Sequence, residues 1–221
     1  MSTTMRHSWT IMKPLPERPT FAQLQRYVTE MERERNLNDG SIVEQCLKLS
    51  EEVGEVCKAV RKHEALSIDP ASTIGSLGHE LADVLIYDLA IANRSGIDLA
   101  KELHAHQRAR PNRSGAAELT LADLQNFVAE ATADEHHLSG TLIEQCLLLS
   151  ARAGTVYTVA LTSQSPPDAR PELAGGLIGV LQHLAAIANR VNLDLATALR
   201  AKEKINETRV WAKPSLRPAV S

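Results

Sequence analysis

Residues 41–60 read SIVEQCLKLSEEVGEVCKAV, and residues 141–160 read TLIEQCLLLSARAGTVYTVA. In the first stretch Ile42, Cys46, Leu49, Val53, Val56 and Val60 recur at three- and four-residue steps, the pattern of a helix with one apolar stripe. It predicts a helix from about Ser41 to Arg61 with Glu51, Glu52 and Glu55 beside or opposite that stripe. The second stretch keeps the spacing but carries Ala151, Arg152 and Thr155 where those acids stood.

The likeness extends well beyond these twenty residues. At an offset of 100, positions 20–60 and 120–160 share fifteen residues of forty-one, among them Thr20, Leu24, Gln25, Gly40, Gln45, Cys46 and Ser50. Farther on the offset is 96, where Ile91-Ala92-Asn93-Arg94 returns as Ile187-Ala188-Asn189-Arg190 and Asp98-Leu99-Ala100 as Asp194-Leu195-Ala196. The second unit has therefore lost four residues from its middle connection. A period this long exceeds that of solenoids, roughly 20–50 residues, and reads as two copies of one small domain. Four expected segments follow: an N-terminal arm over 1–19, a first unit over 20–113, a degenerate second unit over 114–213 and a tail over 214–221.

Each unit reads as four helices. Thr20 with Gln23, and Thr120 with Asp123, form capping-box starts. Phe21, Leu24, Tyr27, Val28 and Met31 then follow helical spacing up to the breaker cluster Asn38-Asp39-Gly40. A third helix is expected over about Leu77 to Ser95, stopped at Gly96, and a short fourth begins at Asp98 as N-cap. Strand signals are almost absent and aromatics are 3%. The expected class is all-α, with the two units packed together as an intramolecular pseudo-dimer because each alone buries too little core.

With 24 basic and 27 acidic residues and no basic stripe, neither nucleic acid nor an anionic membrane is an expected partner. No run of about 18 apolar residues and no secretion signal is visible, so a cytoplasmic protein is expected. Cys46, Cys57 and Cys146 show no zinc spacing and read as buried thiols.

Glu52 and Glu55 are three apart, as are Glu80 and Asp83, and residues at i and i+3 share a helix face. Isolated acid pairs usually belong to a solvated face. Two on adjacent helices instead form a cluster that repels itself unless a cation neutralises it. All-oxygen ligation selects a hard divalent ion, Mg²⁺ first and Mn²⁺ second. Glu51 points about 100° from Glu52 on the helix wheel and could serve a further ion or act as base toward water. The equivalents of Glu80 and Asp83 are Gly176 and Gly179, so the second unit cannot bind an ion in this way. A di-iron bundle needs Glu-x-x-His pairs, which are missing.

The pattern Glu-Glu-x-x-Glu, 24 residues, then Glu-x-x-Asp followed by Val84-Leu85-Ile86-Tyr87 resembles the MazG-like all-α nucleoside triphosphate pyrophosphatases. The resemblance covers about residues 20–110 directly and the rest as a degenerate copy. It implies that Glu52, Glu55, Glu80 and Asp83 bind Mg²⁺, with Glu51 a ligand or water activator, and that a (deoxy)nucleoside triphosphate is split into monophosphate and pyrophosphate. A Lys-x-x-x-Asn-x-x-Arg element that clamps phosphate and sugar in that family is matched by Lys202, Asn206 and Arg209. The first unit has His106, Arg110 and Arg113 there. The losses are complementary: one copy keeps the acids, the other keeps the clamp, supplied within the chain or by a neighbour. A lysine and an arginine can neutralise triphosphate oxygens that metal leaves uncovered.

Gln45 and Lys48, seven and four residues before Glu52, are expected to line the substrate pocket, although Gln45 recurs in the second unit and has a structural alternative. Trp9 and Trp211 could stack on the base or merely pack, packing being the favoured reading, and His79, His104, His106, His136 and His137 read as surface histidines. The competing function is a non-catalytic nucleotide or metal sensor or scaffold of the same fold. Apolar surface left on the helices makes a homodimer of tandem chains the expected assembly.

Overall fold

Every helix start in the first half is fixed by a side chain just upstream. In the computed structural model, which describes residues 14–108, 118–131, 136–162 and 170–209, α1 spans Phe21–Glu34 and is capped by Thr20 and Gln23 in a reciprocal box. Helix α2, Ile42–His63, has the same device in Ser41 and Glu44. Helix α3, Leu77–Arg94, begins on Ser76, whose hydroxyl accepts from the His79 amide. Helix α4, Leu99–Arg108, begins on Asp98, whose carboxylate accepts from the Lys101 amide. These caps satisfy amides that a helix cannot pair internally.

The order then recurs as α5, Leu121–Ala131; α7, Leu142–Thr162; α8, Arg170–Arg190; and α9, Leu195–Asn206, capped by Asp194. A four-residue α6, His136–Ser139, precedes α7 and has no expected counterpart. The chain is all-α, with no strand among the described residues beyond one isolated bridge between Thr20 and Thr120. The expected helix bounds hold to within about two residues.

Trp9, Trp211, Arg110, Arg113 and the prolines of the second connection, Pro166 and Pro167, lie outside the described residues, as do the side chains of His136 and His137.

The conserved-looking Asn-Arg pairs have a structural reason. Gln25 on α1 donates to Asn93 Oδ1 at 2.9 Å and to the Ile97 carbonyl at 2.8 Å, and Asn93 donates back to the Gln25 carbonyl. Gln125, Asn189 and the Leu193 carbonyl make the same set in the second half. Arg94 donates to the Gly40 and Leu37 carbonyls ahead of α2; Arg190 donates to the Gly140 and Leu138 carbonyls ahead of α7. Both third helices end in a left-handed residue, Gly96 at φ 63° and Asn192 at φ 53°. Glycine meets this conformation without strain, and asparagine tolerates it better than most residues.

Helices α3 and α8 are the two central rods. Their buried residues run almost all round, including Leu81, Leu85, Leu89 and Ile91 on α3 and Leu177, Leu181, Leu184 and Ile187 on α8. Helix α8 is long and apolar enough to cross a membrane, with mean hydropathy 1.3, yet 83% of that window is buried within the fold. Gln182 and His183 interrupt its apolar run, and the helix is explained by its packing on α7, α3 and α5. Helix α2 packs on α7 across the middle of the molecule, where Cys57 Sγ lies 3.4 Å from Cys146 Sγ. All three cysteines are free thiols; Cys46 and Cys146 are buried and Cys57 is half-buried.

The fourth helices cross over. Helix α9 of the second half packs on α3 of the first, and α4 of the first packs on α8 of the second.

Candidate active site

Helix α2 presents Glu52 on the flank of its buried stripe, and α3 presents Glu80 and Asp83 from its first two turns. Carboxylate oxygens of these three residues all lie within 4.8 Å of one another. Glu80 is 9% exposed and Asp83 8%. The loop before α3 closes over this point: a side-chain carbon on Gly75 would fall 1.7 Å from Glu80 Oε1, so a larger residue there would push the Glu80 carboxylate aside.

Three carboxylates held so close disfavour one another's charge. Burial, then the Asp83 charge, pushes Glu52 up to about 7, although Lys202 pulls it down. Burial likewise raises Glu80 and Asp83 above the ordinary carboxylate range, again against the pull of Lys202. Such a donor set fits a hard divalent cation, which would relieve the repulsion and accept all-oxygen ligands.

Of the remaining sequence candidates, Glu55 stands outside this trio and is paired with Lys58 at 2.5 Å. Its charge still reaches Glu80. Glu51 is exposed, as the helix wheel implies.

Lys202 comes from the far half of the sequence. Its ammonium forms an ion pair with Asp83, both side chains being largely buried. One turn along α9, Asn206 is 4% exposed and donates to Glu203 Oε1 at 2.9 Å. Glu203 also accepts from Tyr27 at 2.7 Å and from Arg35 at 2.8 Å. This hub was not singled out from the sequence, though Glu203 lies inside the Lys-x-x-x-Asn-x-x-Arg element and three residues from Asn206, the spacing that brings two helical side chains together.

Beside the trio opens a cleft of about 550 Å³, its mouth included, whose wall contains Gln45, Lys48, Glu52, Asp83, Asn206 and Arg209. The structure therefore brings together four of the five sequence-proposed substrate contacts with two of the proposed ligands, and Lys202 touches Asp83 directly. Ile86, Tyr87, Met31 and Leu37 supply apolar wall. The Lys48 ammonium stands 5.8 Å from the centre of the Tyr87 ring, within range of a cation–π attraction.

The equivalent place in the second half is filled. A side-chain carbon on Gly179 would lie 2.7 Å from Arg152 Cδ, so the arginine stem occupies the space beside α8. Where Lys202 would have its counterpart, His106 Nε2 meets Gln182 Nε2 at 3.0 Å. His79 and His104 are half-buried and His106 exposed, and none of them belongs to the acid trio.

Residues 44–107, from α2 into α4, match the family model of the MazG nucleotide pyrophosphohydrolase domain. This segment is MazG-like. No curated protein and no solved structure matches the chain significantly. The matched segment holds Glu51, Glu52, Glu55, Glu80 and Asp83. Lys202, Glu203 and Asn206 lie beyond the MazG span, on the helix that folds back onto it, and Arg209 follows just after that helix.

Proposed function

We propose that the protein is a Mg²⁺-dependent pyrophosphohydrolase of nucleoside or deoxynucleoside triphosphates, yielding the monophosphate and pyrophosphate, with Mn²⁺ as a substitute ion. The observation that carries this reading is the convergence of Glu52, Glu80 and Asp83 beside a cleft that also holds Lys48, Asn206 and Arg209, within a MazG-like segment. Glu52, Glu80 and Asp83 would hold the ion, with Glu55 available once released from Lys58. The ion supplies charge neutralisation on the triphosphate and activation of water. Arg209 and Lys202 offset phosphate charge that the ion leaves uncovered, Asn206 orients the sugar, and Glu51, free in solvent, serves as the proton acceptor.

In this reading the two halves are units of a pseudo-dimer, bounded near residues 20–113 and 114–213, with one active site per chain. The recurring Gln–Asn and Arg–carbonyl tethers and the crossing of α9 onto α3 support it. Val43 and Leu47 on α2 and their equivalents Ile143 and Leu147 on α7 are exposed, an apolar set suited to pairing of two tandem chains. The protein works on free nucleotides in the cytoplasm, apart from nucleic acid and membranes.

The test is pyrophosphate release across ribo- and deoxynucleoside triphosphates with Mg²⁺ or Mn²⁺. Glu52→Gln should abolish turnover, and Asn206→Ala should mainly raise KM. Nucleotide binding with no release from any triphosphate would instead identify a sensor. Full activity from residues 1–115 alone would refute a clamp supplied by α9.

A further inference from the structure

Gln45 and Gln145 occupy equivalent places in α2 and α7, and both are fully buried. Their partners differ. His183 donates through Nδ1 to Gln145 Oε1 at 2.9 Å, whereas neither the nitrogen nor the oxygen of the Gln45 amide has a hydrogen-bond partner. At the offset of 96 the residue in the place of His183 is Tyr87, which leaves the first half without the imidazole. A buried amide with both ends unmade carries its full desolvation cost. Gln45 belongs to the wall of the cleft beside Glu52 and Asp83, as does Tyr87. Glycine at position 40 gives it room: a side-chain carbon there would come within 2.8 Å of Gln45 Nε2.

We propose that Gln45 reads the nucleobase, pairing its amide with the hydrogen-bonding edge of a base whose triphosphate extends toward Glu52 and Asp83. A primary amide offers an acceptor and donors side by side in one plane. Nucleobases present adjacent donors and acceptors on their edges, and such two-point contacts discriminate between bases. Tyr87 provides an aromatic face next to that edge. The second half, with its acid site filled by Arg152, spends the same glutamine on His183 and has no base to read. This inference rests on the nucleotide reading above.

The experiment pairs Gln45→Met with Gln145→Met in the full chain. Each removes both polar ends at nearly constant volume. Three quantities are measured: the unfolding midpoint, binding of non-hydrolysable α,β-methylene nucleoside triphosphates, and Mg²⁺-dependent hydrolysis of the common nucleoside triphosphates and of inorganic tripolyphosphate, which has no base. Gln45→Met should leave the midpoint unchanged or higher, weaken the preferred nucleotide about tenfold or more, narrow the spread between bases, and slow tripolyphosphate hydrolysis by a much smaller factor than hydrolysis of the preferred nucleotide. Gln145→Met should lower the midpoint and leave base preference alone. Unchanged base preference in Gln45→Met, an equal loss on tripolyphosphate, or a fall in midpoint matching Gln145→Met would overturn the assignment. If the unaltered protein binds the analogues but releases no pyrophosphate, the enzymatic reading fails while the base contact is still scored by binding. If it binds no nucleotide, both fail.

Discussion

Lys202 on α9 and Asp83 on α3 form a buried ion pair across the two halves of the chain. Lys202, helped by Arg209, moderates both Asp83 and its neighbour Glu80, and it also lowers Glu52. Removing one partner of a buried pair leaves the other uncompensated, which costs about 3 kcal/mol. Lys202→Met should therefore lose roughly that much in urea unfolding without divalent ions, and Mg²⁺ should restore part of it. Equal stability of the variant and the parent at pH 8 would mean that the pair contributes nothing net.

The acids make a second prediction, in pH. Glu52, Glu80 and Asp83 have folded pKa values above those of the unfolded chain, so the folded state binds their protons more tightly. Their stabilising effect is complete below the ordinary carboxylate range and is lost as pH rises, for Glu52 through about 7. The metal-free protein should thus unfold at a lower temperature at pH 8 than at pH 5, and Glu52→Gln should flatten that slope. Because protons compete with metal for the same oxygens, the rise in Tm caused by Mg²⁺ should be larger at pH 8 than at pH 5.5. Thermal scans with and without chelator check both.

Asp88 offers a cleaner case on the same helix. It is fully buried, neither carboxylate oxygen has a partner, and burial holds its pKa well above the usual range. At the offset of 96 its equivalent is Leu184, also fully buried. Asp88→Leu should stabilise the protein by about 2 kcal/mol at neutral pH, and by less at pH 4, where the unfolded aspartate is itself partly protonated. A destabilised variant would point to an unrecognised partner for this carboxyl.

In the second half the contact between Arg152 and Gly179 predicts a coupling. Alanine favours a helix over glycine by about 1 kcal/mol, but its methyl at position 179 would meet the arginine stem at 2.7 Å. Gly179→Ala alone should gain little or lose stability. In an Arg152→Ala background it should gain about 1 kcal/mol. A double-mutant cycle in denaturant reads the difference directly.

Much of this was legible before any coordinates. Helix positions followed from the apolar steps of α2 and from capping residues such as Thr20, Thr120 and Asp98, because these act over three or four residues. The pairing of Glu52 with Glu80 and Asp83 was legible from i, i+3 spacing on neighbouring helices. What spacing could not give was distance between elements. It did not separate Glu55, held by Lys58, from the trio, nor show that Glu203 gathers Tyr27 and Arg35 from α1 as well as its own neighbour Asn206. It also listed Gly176 and Gly179 only as lost acids, when Gly179 is the space that admits Arg152. Those facts depend on which side chains meet across the core, and a periodic pattern is silent on that.

The packing of α9 on α3 has a consequence for synthesis on the ribosome. Helices α2 and α3 are synthesised more than a hundred residues before Lys202 is joined to the chain. Through that interval Glu52, Glu80 and Asp83 are without their ammonium, and the face of α3 that α9 will cover is bare. A nascent first half that had already brought these acids together would repel itself, and divalent ions bound there would act on folding yield long before any nucleotide is met.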